Sequence, residues 1–320
     1  MLEQSPSPAV APAGPPPATP VADAPKEKFV RPRSQRIGIG GWLAVVWLAI
    51  VLVSAVVIPM VIKDAAIPGA VSGQGILKVS GHPLGGDNAG NDMILQLAKG
   101  ARSSLLVGLG AVLIGLFIGG SLGLIAGYFR GRIDTALSSF FNILLAIPQF
   151  VLAVALVSAL ANDSIGNNGI PVVVSAHRRL FVLIFALGIV AIPILARITR
   201  ANTLQWAQRE FVLAARAQGA KNRRIMVREV LPNVMPAMFS IALLGIAVAM
   251  VAEGGLSILG VGVHLPNVSW GSLISAGYPF LSTQPYLVFE PIVCLFLTVL
   301  SLNYLGDVVR ARFDVRESAL

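Results

Sequence analysis

The chain has 320 residues, 55% of them hydrophobic and only 12% charged, with a mean hydropathy of +0.79. A soluble domain carries about 25% charged residues, so the composition excludes an ordinary water-facing globule and points to a membrane-embedded chain. The formal net charge of +9 is accounted for by basic residues flanking apolar spans rather than by nucleic-acid binding. The single cysteine, Cys294, lies in an apolar run, so neither an intrachain disulfide nor a cysteine-based metal site is available.

Residues 1–41 read as a cytoplasmic tail. Its first 25 positions hold eight Pro and six Ala, too little apolar surface to offset the entropy of ordering, so disorder is expected. A basic flank of Lys26, Lys28, Arg31, Arg33 and Arg36 follows. Six stretches then approach or exceed the roughly 20 apolar residues that cross a bilayer. They are Trp42–Ile62, Ser103–Tyr128, Thr135–Leu160 with Pro148 near its middle, Leu180–Ala196 with Pro193, Asn233–Val263 with Glu253, and Tyr286–Gly306 with Glu290. Lipid offers no partner to an open backbone and the runs do not alternate, so all six are expected to be helices. The fold class is an all-α membrane protein. Residues 63–102 form an extracytoplasmic segment with a short helix over Asp92–Gly100, 103–309 the core, and 310–320 the C-terminal segment.

Lys and Arg sort the connections by side. Eighteen fall in the tail, at Arg130 and Arg132, in Arg197–Arg228 and at Arg310, Arg312 and Arg316; six fall at Lys63, Lys78, Lys99, Arg102, Arg178 and Arg179. That asymmetry places both termini in the cytoplasm, together with the loop 197–232 between spans four and five.

The loop contains "EFVLAARAQGAKNRRIMVREVLPN", Glu210–Asn233. A helix is expected over Thr203–Ala217, with Leu204, Ala207, Phe211 and Ala214 on one face and Arg209 and Arg216 on another. Gly219 suits the stop. Asn222 can cap a second short helix over Arg223–Leu231, and Pro232 fits the start of the fifth span. A loop that merely anchored topology would need the basic residues but neither Ala214-Ala215 nor the Gly stop. A helix, tight turn and helix suit docking against another surface.

Ala214-Ala215, Gly219 and Leu231-Pro232 resemble the cytoplasmic Glu-Ala-Ala…Gly…Leu-Pro signature of ABC importer permeases, with Leu213 where many families carry Glu. "HPLGGDNAGNDMILQLAKGARSSLLVG" (His82–Gly108) is similar to a block of dipeptide and oligopeptide permeases of the C type, with Gly86 and Asn91 replacing the usual Thr and Arg. "AGYFRGRID" (Ala126–Asp134), "GGLSILGVG" (Gly254–Gly262), "PNVSWGSLISAG" (Pro266–Gly277) and "NYLGDVVRARFDVR" (Asn303–Arg316) resemble further blocks. The resemblance covers most of residues 82–316. It implies a type I ABC importer permease in a bacterial cytoplasmic membrane, paired with a homologous B-type permease. It also implies two ABC ATPase subunits or one fused ATPase, and an extracytoplasmic peptide-binding protein. The coupling contacts it implies are Arg209, Glu210, Phe211, Ala214, Ala215, Arg216 and Gly219, with Leu231 and Pro232 fixing the second helix. Nickel complexes or haem-like compounds are alternative cargoes of related permeases. An ATP-independent channel or secondary transporter is the alternative from another class.

The chain has no G-x-x-x-x-G-K-[ST], so ATP and Mg2+ are expected in partner subunits, with no cofactor or metal in this chain and no catalytic residue of its own. Glu253 reads either as a structural carboxylate bonded to nearby backbone or as part of an outer gate. Ser138, Ser139 and Asn142, with Gln149 seven residues beyond, form a polar stripe that serves as helix–helix contact or as substrate path. Asp87, Asp92 and His82 make a poor metal set; capping of the following helix is the expected role.

Overall fold

The computed structural model describes residues 38–62, 82–87, 89–161, 176–264 and 266–317. The expected disordered tail, its basic flank, Lys63 and Lys78 lie outside these residues. Among the described residues the structure is helical, with one isolated β-bridge, Gly86 to Asp92, and no strand. The helices are α1 (Ile39–Val61), α2 (Met93–Phe129), α3 (Gly131–Ala146), α4 (Gln149–Ala161), α5 (Ala176–Trp206), α6 (Glu210–Ala217), α7 (Asn222–Ile258), α8 (Trp270–Gly277) and α9 (Tyr286–Glu317). Five of them are long and apolar enough to cross a membrane, and the bent pair α3–α4 makes a sixth if it crosses as one span.

Several expected boundaries move. The third span, expected to be continuous over Thr135–Leu160, is two helices meeting at 86°. Pro148 disfavours helical backbone in the residue before it, and Ile147 is extended at φ −80°, ψ 128°. The short helix expected over Asp92–Gly100 runs without interruption into the second span. The fourth span continues ten residues past Ala196, to Trp206. At 37 residues, α7 is about 55 Å long against a hydrocarbon core of about 30 Å, so it projects well past any bilayer it spans.

Outward faces are apolar, as lipid requires. On α1 only Gly41, Ala44, Val51 and Ala55 are buried, against α2 and α9. One interior cluster joins Val107 and Ala111 of α2 to Val157 of α4, Leu183 of α5 and Leu256 of α7; another joins α1, α7, α8 and α9 around Trp270. Lipid tails are as apolar as these side chains, so close packing must hold the helices together. The tightest seam is α2 on α5. Gly119, Gly123 and Gly127 face Ile192, Ala196 and Arg200 at matching four-residue steps, and a Cβ at Gly127 would sit 2.7 Å from Thr203 Cβ and 2.8 Å from the Arg200 carbonyl oxygen. Gly123→Leu is therefore expected to lower stability by about 1–3 kcal/mol. A melting temperature unchanged by that substitution would show that the two backbones do not meet there.

Polar contacts reinforce the same neighbourhood. The Asp134 carboxylate on α3 accepts from Arg200 Nε and, at 2.7 Å, from Arg200 Nη2. Arg200 lies in the part of α5 that extends beyond the apolar run, and this pairing gives its guanidinium a partner there.

Candidate docking loop and the polar knot at the opposite end

After Trp206 the chain breaks helix for three residues, and Arg209 is extended at φ −68°, ψ 151°. The single helix expected over Thr203–Ala217 is thus α5, a turn and then α6. Arg209 caps α6 through its backbone: its carbonyl accepts from Val212 N at 3.0 Å. Glu210 in the first turn and Arg216 in the last both complement the helix dipole. At the C-terminus Gly219 takes φ +81°, where a side chain would be strained. Ala220 N donates to the Ala215 carbonyl at 3.1 Å and Gly219 N to the Arg216 carbonyl at 3.0 Å, closing the turn in Schellman fashion.

The face of α6 turned to the protein differs from the one expected. Val212 is buried with Ala207, Tyr128, Ile225 and Val230, and Ala215 packs against them. Phe211 is 38% exposed, Leu213 is 53% exposed, and Ala214, Arg209, Glu210, Arg216 and Gly219 are also exposed. Trp206 supports both Phe211, at 6.2 Å between ring centroids, and the Arg209 guanidinium, 5.3 Å from its own ring. Arg216 lies 5.8 Å over the Tyr128 ring, whose hydroxyl donates to Asn222 Oδ1 at 3.0 Å. The expected cap at Asn222 is not formed; Lys221 holds the N-cap position without a side-chain bond. Nor is there a separate second helix: Arg223–Leu231 is the start of α7, widened into a π turn at Ile225–Val230. That widening makes room for the ring of Pro232, which can neither donate to the preceding turn nor fit tightly against it. Leu231 is half-buried against the Val212 cluster and Pro232 is exposed.

The opposite end of α7 holds a buried polar knot. Glu253 is 0% exposed, and its Oε1 accepts from Ser257 Oγ and Ser269 Oγ, each at 2.7 Å. Ser269 also caps α8 reciprocally with Ser272. Trp270 N donates to Ser104 Oγ at 3.1 Å and Trp270 Nε1 to the Leu97 carbonyl at 2.9 Å. The knot thus ties α7, α8 and α2 together. Both hydrogen bonds to Glu253 Oε1 come from serine hydroxyls, one on its own helix and one across the α7–α8 connection.

Residues 111–318 match the family of binding-protein-dependent transport system inner membrane components. The chain belongs to that family. Among curated relatives it is 36% identical over 233 residues to a dipeptide transport system permease protein of Alkalihalophilus pseudofirmus, covering 73% of this chain and 71% of the relative. It is 33% identical to a glutathione transport system permease protein of Pectobacterium atrosepticum, covering 73% of each. To an oligopeptide transport system permease protein of Bacillus subtilis it is 32% identical, covering 73% of this chain and 71% of the relative. The fold matches a chain of the MetNI methionine ABC transporter, solved in inward-facing conformations, with a TM-score of 0.55 at 20% identity over 69% of this chain and 97% of that one.

Within this inner membrane component the polar stripe of the third span separates. Ser138 donates to Asp134 at 3.2 Å and Asn142 Oδ1 accepts from Arg197 Nη2 at 3.2 Å, so both serve the α3–α5 contact. The bend at Pro148 removes Gln149 from their face. Gln149 instead lines a cavity of about 430 Å³ between α4, α5 and α7 whose other side chains are apolar. Asp92 caps α2, accepting from Ile94 N at 2.7 Å, and pairs with His82 Nδ1 at 2.5 Å. Asp87 closes its own turn on Ala89 N and Asn91 N. Among the described residues no three metal-ligating side chains cluster. The sequence marks Leu213 only as a departure from the Glu-Ala-Ala signature and does not single out Val212. The signal for Leu213 was available, an apolar side chain in an otherwise charged loop, whereas the burial of Val212 depends on the break at Trp206.

Proposed function

We propose that this chain is the translocating subunit of an ATP-binding-cassette importer for dipeptides and short oligopeptides. The observation that carries the reading is α6: eight residues locked by a Gly219 turn, clamped from beneath by Val212, and presenting Phe211, Leu213 and Ala214 outward. The substrate class rests on relatives named for dipeptide and oligopeptide transport, which match across nearly three quarters of the chain. Two ABC ATPases, or one fused polypeptide, bind ATP and Mg2+ and receive α6 with Arg209, Glu210, Arg216 and Gly219 at its edges. A homologous B-type permease completes the path, and an extracytoplasmic peptide-binding protein delivers cargo. The Lys/Arg asymmetry puts the α6 end and both termini in the cytoplasm and the Glu253 end outside. ATP binding, by favouring one arrangement of the ATPases over the other, shifts the permease pair between inward- and outward-facing states.

Purification from the native cell in mild detergent, with mass spectrometry of every copurifying chain, tests the assembly. Reconstitution with those partners tests the activity. A second permease, Walker-motif ATPases and ATP-dependent uptake of a labelled dipeptide are expected. The chain moving solute alone, without ATP, would overturn the reading in favour of a channel.

A further inference from the structure

Beside the Glu253 knot lies a cavity of about 340 Å³, lined by the segment before α2, the α7–α8 connection and α8. Its volume lies within the range of roughly 300–1,000 Å³ found for small-ligand clefts. Two polar groups in its wall have no hydrogen-bond partner among the described residues. Gln96, 6% exposed, has an Oε1 that accepts nothing, and the buried Nδ2 of Asn267 donates to nothing. Buried polar groups are nearly always paired, because leaving one bare forfeits the hydrogen bond it made to water. One unfilled acceptor and one unfilled donor in a single cavity complement an amide group, which supplies one N–H and one carbonyl.

Charge narrows the ligand further. Among the described residues no Lys or Arg lines the cavity, and Asp87 is the one carboxylate. Anionic ligands such as phosphates or free carboxylates therefore meet no counter-charge there, while an ammonium group is favoured. Among the described residues no three metal-ligating side chains cluster there, so they offer a bare cation no ligand set. A short peptide offers the matching combination at its amino end, an ammonium followed by an amide.

We propose that this cavity is an outer subsite for the amino-terminal end of a short peptide. Gln96 Oε1 accepts from its amide N–H, Asn267 Nδ2 donates to its amide carbonyl, and Asp87 attracts its ammonium group. The inference rests on the peptide-importer reading and locates a substrate contact on the receiving face. It also separates two demands on Gln96 and Asn267. A group serving the fold loses stability when removed, whereas Gln96 Oε1 and Asn267 Nδ2 have no partner among the described residues, so Gln96→Leu and Asn267→Leu are expected to lower the melting temperature little or not at all.

The test uses the complete transporter in nanodiscs, with Cys294→Ser and Ser275→Cys in this chain. Ser275 lines the cavity and is half-exposed, so a small thiol reagent reports its occupancy. Trialanine is expected to slow labelling at position 275 by about tenfold at saturation, the factor that corresponds to about 1.4 kcal/mol. Trisarcosine, which lacks amide N–H groups, and N-acetyl-trialanine are expected to protect far less. Gln96→Leu or Asn267→Leu is expected to abolish protection by trialanine; the N-methylated probe carries the same comparison if either variant fails to assemble. No protection by trialanine, equal protection by all three probes, or protection by the empty binding protein alone overturns the subsite. ATP turnover stimulated by loaded binding protein, read on the same sample, keeps that failure distinct from failure of the importer reading.

Discussion

Phe211→Ala combined with Leu213→Ala is expected to abolish ATP-driven peptide uptake while leaving the chain folded and inserted. Both side chains stand out from α6, at 38% and 53% exposure, so removing them empties no core. Solvent-exposed apolar groups of this size on a helix held rigid from below are suited to be anchors at a protein–protein contact. Losing such an anchor costs about 2 kcal/mol or more, and 2 kcal/mol is roughly thirtyfold in affinity. The paired substitution should therefore weaken ATPase copurification severely and lower peptide-dependent ATP turnover with it. Val212→Ala provides the contrast. Val212 is buried against Tyr128, Ile225 and Val230, so its loss loosens α6 itself and shows as a lower melting temperature of the isolated chain. Normal ATP turnover and uptake in the Phe211/Leu213 variant would sink the docking assignment and leave the loop as a topology anchor.

The contrast between Leu213 and Val212 shows which kind of structure the sequence carries. Apolar runs of adequate length located the spans, because lipid permits little else. Gly219 announced a left-handed stop and takes one. Boundaries were harder, because hydropathy records where lipid ends and not where a helix ends. Arg197–Trp206 is polar yet helical, since α5 continues along the glycine seam of α2 and Arg200 finds Asp134. Pro148 was visible, but whether a proline kinks or breaks a helix depends on what the two halves pack against. Pro193, Pro236 and Pro291 all sit inside continuous helices. Pro232 reads as the start of the fifth span, so a separate short helix is expected before it, whereas the helix runs on through Pro232 by widening into the π turn at Ile225–Val230. The Glu253 knot was half legible. Ser257 lies one helical turn away, but Ser269 is 16 residues distant across a loop, and nothing in a single sequence pairs them.

Glu253→Ala and Glu253→Gln separate the two roles that the sequence left open for this carboxylate. Glu253 Oε1 is the acceptor for both Ser257 and Ser269, and the site is fully buried. Alanine removes that acceptor, strands two buried hydroxyls and leaves a cavity, a combination costing about 2–5 kcal/mol. Glutamine keeps an oxygen where Oε1 stands and nearly the same volume, so its cost should stay near 1 kcal/mol, one hydrogen bond's worth. The melting temperature in nanodiscs should fall steeply for alanine and slightly for glutamine. Hydrogen exchange should rise first in α8, because Ser269 caps that helix and loses its tie to α7. Transport by the glutamine variant at close to the normal rate would then mark Glu253 as a structural clamp. A glutamine variant that kept its stability and yet failed to transport would reverse that conclusion, since only the carboxylate's chemistry, and not its place in the knot, would have been lost.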